Sequence, residues 1–391
     1  MRETFDAVVV GAGPAGSVAA HGLARRGRSV LLLDRSDFPR DKVCGDALVA
    51  DSLRVLARLG LTDEAEAIGQ RTRRLRALLP DGSALELACE FLCATRRELD
   101  DLLRRAAVRA GAEFRGASAV TGVDVSKEAA SLCLKEGGSV RARLVLVATG
   151  AASPLLDLFE PRAGTAYDAL AARSYFRLAK ESALDRILVA WDRSTAPGYG
   201  WLFPLRDGLV NVGCGVFLDG RRAPPNLSTL FTSFTAAPEV AELLRGAEEI
   251  SPLRGASLRC GMRRLLPARD RLLAVGEAQG ATLPFSGEGI GKAMETAELA
   301  AEHADAALAK DDLSAASLSA YTRALTERLA PRYRAYETAQ RWVRRPALVT
   351  FLGRRARKSA YLRTLMSGLL DESTPPDAIF SPLALVRSYF G

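Results

Sequence analysis

The strongest constraint on this chain lies in its first thirty-five residues. Residues 6–10 (Asp-Ala-Val-Val-Val) form an apolar, β-branched run of strand length, and Gly11-Ala-Gly-Pro-Ala-Gly16 follows directly. Residues 17–26, rich in Ala and Leu, have helix length, and a second apolar run at 29–33 ends in Asp34-Arg35. Strand, glycine turn, helix and second strand together make a βαβ unit of the kind that holds a dinucleotide. Gly11 permits the tight turn, Gly13 lets backbone N–H groups approach a pyrophosphate, and Gly16 lets the helix pack closely on the sheet. Pro14 and Ala15 complete the loop, whose helix start directs unpaired N–H groups and a positive dipole end at the phosphates. Asp34 is placed to hydrogen-bond ribose hydroxyls, and Arg35 to stack on or pair with the nucleotide end.

Length bounds the rest. The 391 residues, 48% hydrophobic and 26% charged, suffice for two or three units of ordinary domain size. No apolar run approaches the ~20 residues that span a bilayer. The βαβ unit starts within a few residues of Met1, and the six cysteines are scattered. A reducing, cytoplasmic location is therefore expected, with peripheral attachment to a membrane as the alternative. Two histidines, each in a helix-like segment, argue against a zinc site or a histidine-based triad, so no metal is expected. The net charge of +8 reads either as a solvated arginine-rich surface or as attraction to an anionic partner such as lipid headgroups. Nucleic acid is not expected, because no binding motif accompanies the charge.

Past Asp34, Arg40 and Lys42 are candidate phosphate contacts. Cys44-Gly45 falls where the chain turns into a helix running to about residue 59, a setting that lowers a thiol pKa when the thiol caps the helix. Residues 71–87 read as a β-hairpin turning at Pro80-Asp81-Gly82, and 95–110 as a helix. Short strands at 113–114, 120–125 and 131–134 lead to an apolar returning strand that ends in Ala148-Thr149-Gly150. Longer strands are expected at 172–178, 187–191 and 209–217. Between the last two lies Pro197-Gly-Tyr-Gly-Trp-Leu-Phe-Pro204, where the aromatics of this region concentrate. A helical piece at 227–244 and a strand near 257 follow.

The chain then returns to nucleotide-binding character. Residues 271–275 form a strand ending in Gly276-Glu277. A glycine-rich loop containing Pro284, Gly287, Gly289 and Ile290 opens a helix over 291–308. That helix start suits a reduced flavin, whose pyrimidine edge carries negative charge. Residues 313–345 and 347–370 read as helices, the second basic and amphipathic. It either packs on a domain or lies at a membrane surface.

These residues resemble the para-hydroxybenzoate-hydroxylase type of flavoprotein and, within it, the geranylgeranyl reductase family. The specific marks are Lys42-Val-Cys-Gly45 and the Pro-x-Tyr-x-Trp-x-Phe-Pro signature at 197–204. The resemblance implies an α/β fold: a Rossmann-like FAD-binding domain, an inserted mixed β-sheet substrate domain and a C-terminal helical region. It divides the chain into FAD-binding segments (1–70, 93–166, 264–310), substrate-sheet segments (71–92, 167–263) and a helical tail (311–391). FAD would lie along Gly11, Gly13, Pro14, Ala15 and Gly16, with Asp34 on the ribose and Arg35, Arg96 and Val120 nearby. Gly150, Gly276, Glu277, Pro284, Gly287, Gly289 and Ile290 would meet its other half. Cys44-Gly45 would flank the isoalloxazine, and Tyr199, Trp201 and Phe203 the substrate cavity.

The implied reaction is FAD-dependent reduction of carbon–carbon double bonds in an isoprenoid or similar apolar chain, by hydride transfer from reduced flavin. Cys44, Tyr199 or a bound water is the candidate proton donor, beside Trp201. NAD(P)H, or an electron-donor protein such as reduced ferredoxin, would supply the electrons. Two positions depart from the wider pattern: Thr149 stands where an aspartate is usual, and Glu277 replaces another. Three rivals remain: a hydroxylase or halogenase, a dehydrogenase, and a non-catalytic flavin module. The halogenase element Trp-x-Trp-x-Ile-Pro is replaced here by Tyr199-Gly-Trp-Leu-Phe-Pro204.

Overall fold

The computed structural model describes residues 4–179, 184–191, 195, 198–218, 223–379 and 381–389. Pro197, the first residue of the aromatic signature, lies outside them. The chain divides into two compact units, each assembled from three segments: 1–41, 97–167 and 258–333 in the first, and 42–96, 168–257 and 334–391 in the second.

The first unit is built on a seven-stranded sheet. Its order is Glu113–Arg115, Val30–Leu33, Thr4–Val10, Ser139–Val147, Ala130–Leu134 and Val120–Val125, with Leu272–Ala274 also pairing Ser139–Val147. Thr4–Val10 runs parallel to both neighbours, as a βαβ crossover requires. Strand Ser139–Val147 is shared. Its first half takes Ala130–Leu134 antiparallel and its second half takes Leu272–Ala274 parallel, which returns the chain to the nucleotide end of the sheet. Val8, Val10, Leu31, Leu33, Val145 and Val147 fill one core face. The helices Pro14–Ala24 and Ile290–Ala309 pack together at small residues: a Cβ on Gly22 would lie 2.8 Å from that of Ala301.

The second unit holds a nine-stranded mixed sheet in the order Glu248–Glu249, Ala169–Arg177, Leu209–Phe217, Gly198–Pro204, Ile187–Ala190, Gln70–Leu78, Ala84–Cys93 and Ala47–Leu48. Arg254–Leu258 pairs Ala169–Arg177. From Glu248–Glu249 to Ala47–Leu48 the neighbours run antiparallel except where Ile187–Ala190 meets Gln70–Leu78. The strand Ile-Leu-Val-Ala is apolar throughout because both of its faces are covered. Ile187 and Val189 pack with Leu75, Ala356 and Leu362, while Leu188 and Ala190 pack with Phe231, Phe234 and Val240.

The structure redraws several expected elements. Residues 42–70 group with the second unit, because the two-residue strand Ala47–Leu48 pairs with the edge of Ala84–Cys93. The helix expected at 227–244 is two helices, Leu227–Thr235 and Pro238–Leu243, since Pro238 cannot continue the first. The helix expected at 347–370 is broken at Ser359, whose extended backbone ends Pro346–Lys358 and whose Oγ caps Ala360–Leu370 by accepting from Leu362 N at 3.2 Å. The tail is not one region: Ala315–Val343 crosses from residues of the first unit to residues of the second.

Candidate active site: a dinucleotide cradle and an acid–thiol–aromatic cluster

In the first unit the glycines do what the loop requires. Gly11 has a left-handed backbone (φ 104°), and a Cβ there would come within 2.5 Å of the Ala148 carbonyl oxygen. A Cβ on Gly16 would lie 1.7 Å from the Gly11 carbonyl oxygen, so no side chain fits. Neither Pro14–Ala24 nor Ile290–Ala309 has a side-chain cap or an acidic residue in its first turn. Both helix starts therefore keep their positive ends for an anionic ligand. Gly13 and Gly289 are the respective caps.

Asp34 is buried, and one of its oxygens braces the loop: Oδ2 accepts from Ala12 N at 2.8 Å, and Oδ1 from Ser36 N at 2.9 Å. Arg35 is exposed beside it. Arg40 is held in place beside it. Its Nη1 pairs with the buried Asp100 at 2.9 Å and its guanidinium lies 4.8 Å over Phe38. Val120 sits on the strand that closes the other edge of the sheet. Gly150 and Gly276 take left-handed conformations after their strands, and a Cβ on Gly276 would lie 2.5 Å from that of Ala15, so the late loop abuts the early one. Glu277 lies in the short 3-10 turn Gly276–Gln279, and its Oε1 accepts from the Thr282 hydroxyl at 3.4 Å. The buried Pro284 and the left-handed Gly287 shape the loop ahead of Ile290.

Thr149 Oγ1 is buried with no hydrogen-bond partner among the described residues. A buried hydroxyl left unpaired costs stability unless a ligand satisfies it. Thr149→Val is therefore expected to leave the melting temperature of FAD-free protein unchanged or slightly raised, while weakening FAD by about tenfold, one ordinary hydrogen bond. Thermal melts with a flavin titration separate the two effects.

In the second unit, two sequence motifs meet. Tyr199, Trp201 and Phe203 alternate along strand Gly198–Pro204 and so share one face. Their rings, with that of Trp191, form a ladder at 5.9–6.1 Å centroid spacing. The neighbouring strand opposes them with Gly215, Gly213 and Asn211. A Cβ on Gly213 would strike the Trp201 indole at 2.2 Å, so this glycine makes the space the ring occupies. A Cβ on Gly45 would lie 3.0 Å from the Phe203 ring and 3.5 Å from Trp201 Nε1. The Cys44-Gly45 turn therefore lies against the aromatic ladder.

Asn211 ties the two motifs together. Its Oδ1 accepts from Trp201 Nε1 at 2.9 Å. Its Nδ2 donates to the Cys44 carbonyl at 2.7 Å and to Asp46 Oδ2 at 2.8 Å. Tyr175, paired with Asn211 across the sheet, donates its hydroxyl to the same Asp46 oxygen at 2.6 Å. Asp46 is fully buried in a left-handed conformation (φ 68°), and its Oδ1 has no hydrogen-bond partner among the described residues. Burial pushes its carboxyl up to about 6, despite the Tyr175 and Asn211 hydrogen bonds and the Arg173 and Arg96 charges that pull it down. Arg173 is itself buried, 4.0 Å over the Tyr175 ring.

The expectation of a lowered thiol pKa at Cys44 is overturned. The following helix begins only at Ala50, capped by Val49, so Cys44 is not at its start. Its Sγ accepts from Asp46 N at 3.5 Å, and burial raises its pKa, with Arg96 opposing and the Asp46 charge reinforcing the rise. Asp46, Tyr175, Asn211 and Arg173 were not singled out from the sequence. The available signals were Asp46 directly after Cys44-Gly45, the lone polar Asn211 in the apolar strand Leu209–Phe217, and a buried-strand arginine at 173.

Residues 4–324 match the family model described as an FAD binding domain. The menaquinone reductase of Mycobacterium tuberculosis is 35% identical over 334 residues, 78% of this chain and 77% of that protein. The chain belongs to the geranylgeranyl reductase family of FAD-dependent oxidoreductases. Another relative is digeranylgeranylglycerophospholipid reductase 1 of Methanopyrus kandleri, 30% identical over 343 residues, 81% of this chain and 84% of that protein. A geranylgeranyl bacteriochlorophyll reductase-like protein from Thermoplasma acidophilum shares the fold, with a TM-score of 0.78 at 21% identity, over 99% of this chain and 96% of that one. The glycine cradle, the two uncapped helix starts and the orphaned Thr149 hydroxyl fit FAD in this family member.

Proposed function

We propose that the protein reduces carbon–carbon double bonds in the polyprenyl chain of a lipid. The observation that carries this reading is Asn211, which ties the Asp46 carboxylate and the backbone carbonyl of Cys44 to the indole of the aromatic wall. The relatives support it: menaquinone and digeranylgeranylglycerophospholipid, the molecules their names specify, both carry polyprenyl chains. An isolated alkene is a poor hydride acceptor, so a positioned acid has to contribute to its reduction.

Gly11 to Gly16, Asp34 and the Gly287–Ile290 loop would hold FAD, with Arg35, Arg96 and Val120 proposed near it. Bound and reduced, FAD supplies the hydride for one alkene carbon. The chain's own residues serve the other carbon. Cys44 holds its proton at Sγ, because burial and the Asp46 charge keep the thiol neutral. Asp46 holds or releases a proton near neutral pH, and the unpartnered Oδ1 is the oxygen that carries it, since Oδ2 already accepts twice. Tyr199, Trp201 and Phe203 line up the apolar chain and exclude water.

Incubating the holoenzyme with a chemical reductant and either menaquinone or a geranylgeranyl lipid, then measuring product mass after exposure to air, tests this. A gain of two hydrogens that survives air is expected. Reversion to the starting mass would mean that only a quinone ring had been reduced and would overturn the reading.

A further inference from the structure

Residues 341–370 contain eight arginines or lysines and no acidic residue. Across 334–391 there are ten basic residues against four acidic ones, so this segment carries +6 of the chain's net +8. The charge is therefore concentrated on the helices that close the second unit.

Helix Pro346–Lys358 has two distinct faces. Its inner face is fixed: Ala356 is buried, and a Cβ on Gly353 would lie 2.2 Å from Leu79 Cδ1. Ala347, Phe351, Arg354 and Lys358 follow the i, i+4, i+7, i+11 spacing of one stripe, and all four are exposed, Phe351 at 45%. Arg357 is exposed next to them. The short helix Pro382–Arg387 repeats the arrangement, with Ala384 and Ser388 buried while Leu383, Val386 and Tyr389 are 59%, 56% and 61% exposed. The Arg355 guanidinium staples the two helices. It donates to Ser388 Oγ at 3.0 Å and to the Ser388 carbonyl, and it lies 3.7 Å over the Tyr389 ring.

Large exposed side chains scattered singly over a surface need no explanation. Here four of the eight found among the described residues fall within 351–389, on two helices held together and fringed by cations. We infer that this face docks the protein on an anionic phospholipid bilayer, lying in the headgroup region with Phe351, Leu383, Val386 and Tyr389 inserted shallowly. Helices of 13 and 6 residues are too short to cross a membrane. Shallow apolar side chains ringed by arginine and lysine match an interface of mobile anionic headgroups over hydrocarbon. Arg354 is already paired with Asp81, so Arg357, Lys358, Arg345 and Arg387 supply the fringe. Docking is independent of the substrate reading, because it is measured on vesicles that contain no polyprenyl lipid.

The test is co-sedimentation of full-length holoprotein with vesicles of phosphatidylcholine alone or with about one third phosphatidylglycerol. Binding at least tenfold tighter to the anionic vesicles, abolished by high salt, is expected. The double variant R357E/K358E should lose that preference, and L383S/V386S should lose residual binding at high lipid, both with wild-type flavin content and melting temperature. Equal binding to both vesicle types, or undiminished binding by R357E/K358E, would overturn the proposal. So would a dimer in sedimentation velocity that L383S/V386S dissociates without any vesicle binding, which would assign the face to a second copy of the chain.

Discussion

Gly16→Ala should yield protein that carries no flavin. The added methyl would sit 1.7 Å from the Gly11 carbonyl oxygen and 2.9 Å from its carbon, both backbone atoms that cannot swing aside. Relief requires the helix start to move off the strand, which dismantles the turn presenting its N–H groups. We expect at least a hundredfold loss of FAD affinity and destabilisation of about 3 kcal/mol or more, the range of severe backbone clashes. Gly122→Ala is the control, since a Cβ there meets nothing within 4 Å and its backbone is not left-handed. Flavin absorbance per protein and a denaturant melt read both effects. A Gly16→Ala protein with full flavin content would contradict the packing described here.

Asp46→Asn is the second large effect, and it is expected to raise stability while lowering activity. The folded carboxyl titrates near 6, against 3.8 when exposed. A buried acid with a raised pKa holds its proton more tightly when folded. Its contribution is therefore fully present below 3.8 and lost as pH rises through about 6, a difference of roughly 3 kcal/mol at most. Asparagine stays neutral, keeps one oxygen for Tyr175 and Asn211, and places its amide on the side where Oδ1 has no partner. The variant should match wild type at pH 4 and melt higher at pH 8. With its proton store removed, turnover should fall by about a hundredfold, the lower range for a lost acid–base group. Melting curves at the two pH values, with product formation at each, decide it. A variant less stable than wild type at pH 8 would mean that the charged form is favoured after all.

The cradle was legible in the sequence because its parts are contiguous. Strand, glycines, helix and acid follow one another from residue 4 to 34, and local rules fix their geometry. The acid–thiol–aromatic cluster was only half legible. Cys44, Tyr199, Trp201 and Phe203 belong to recognisable short motifs, but Asn211 and Tyr175 come from two other strands. Only the register, with Tyr175 opposite Asn211 and Asn211 opposite Phe203, brings them into line. Ala47–Leu48 is too short to show a period, so the allegiance of residues 42–70 depends on tertiary pairing. The break at Ser359 has no proline or glycine to announce it.

Anaerobic reoxidation of the flavin separates alkene reduction from oxygen chemistry. The purified holoprotein is photoreduced, a polyprenyl lipid is added without oxygen, and the flavin absorbance and product mass are followed together. Oxidised flavin should return only with the unsaturated lipid, not with its saturated analogue, and each flavin reoxidised should match two hydrogens gained by the chain. Flavin that stays reduced until air enters, with an oxygen atom then appearing in the substrate, would contradict it.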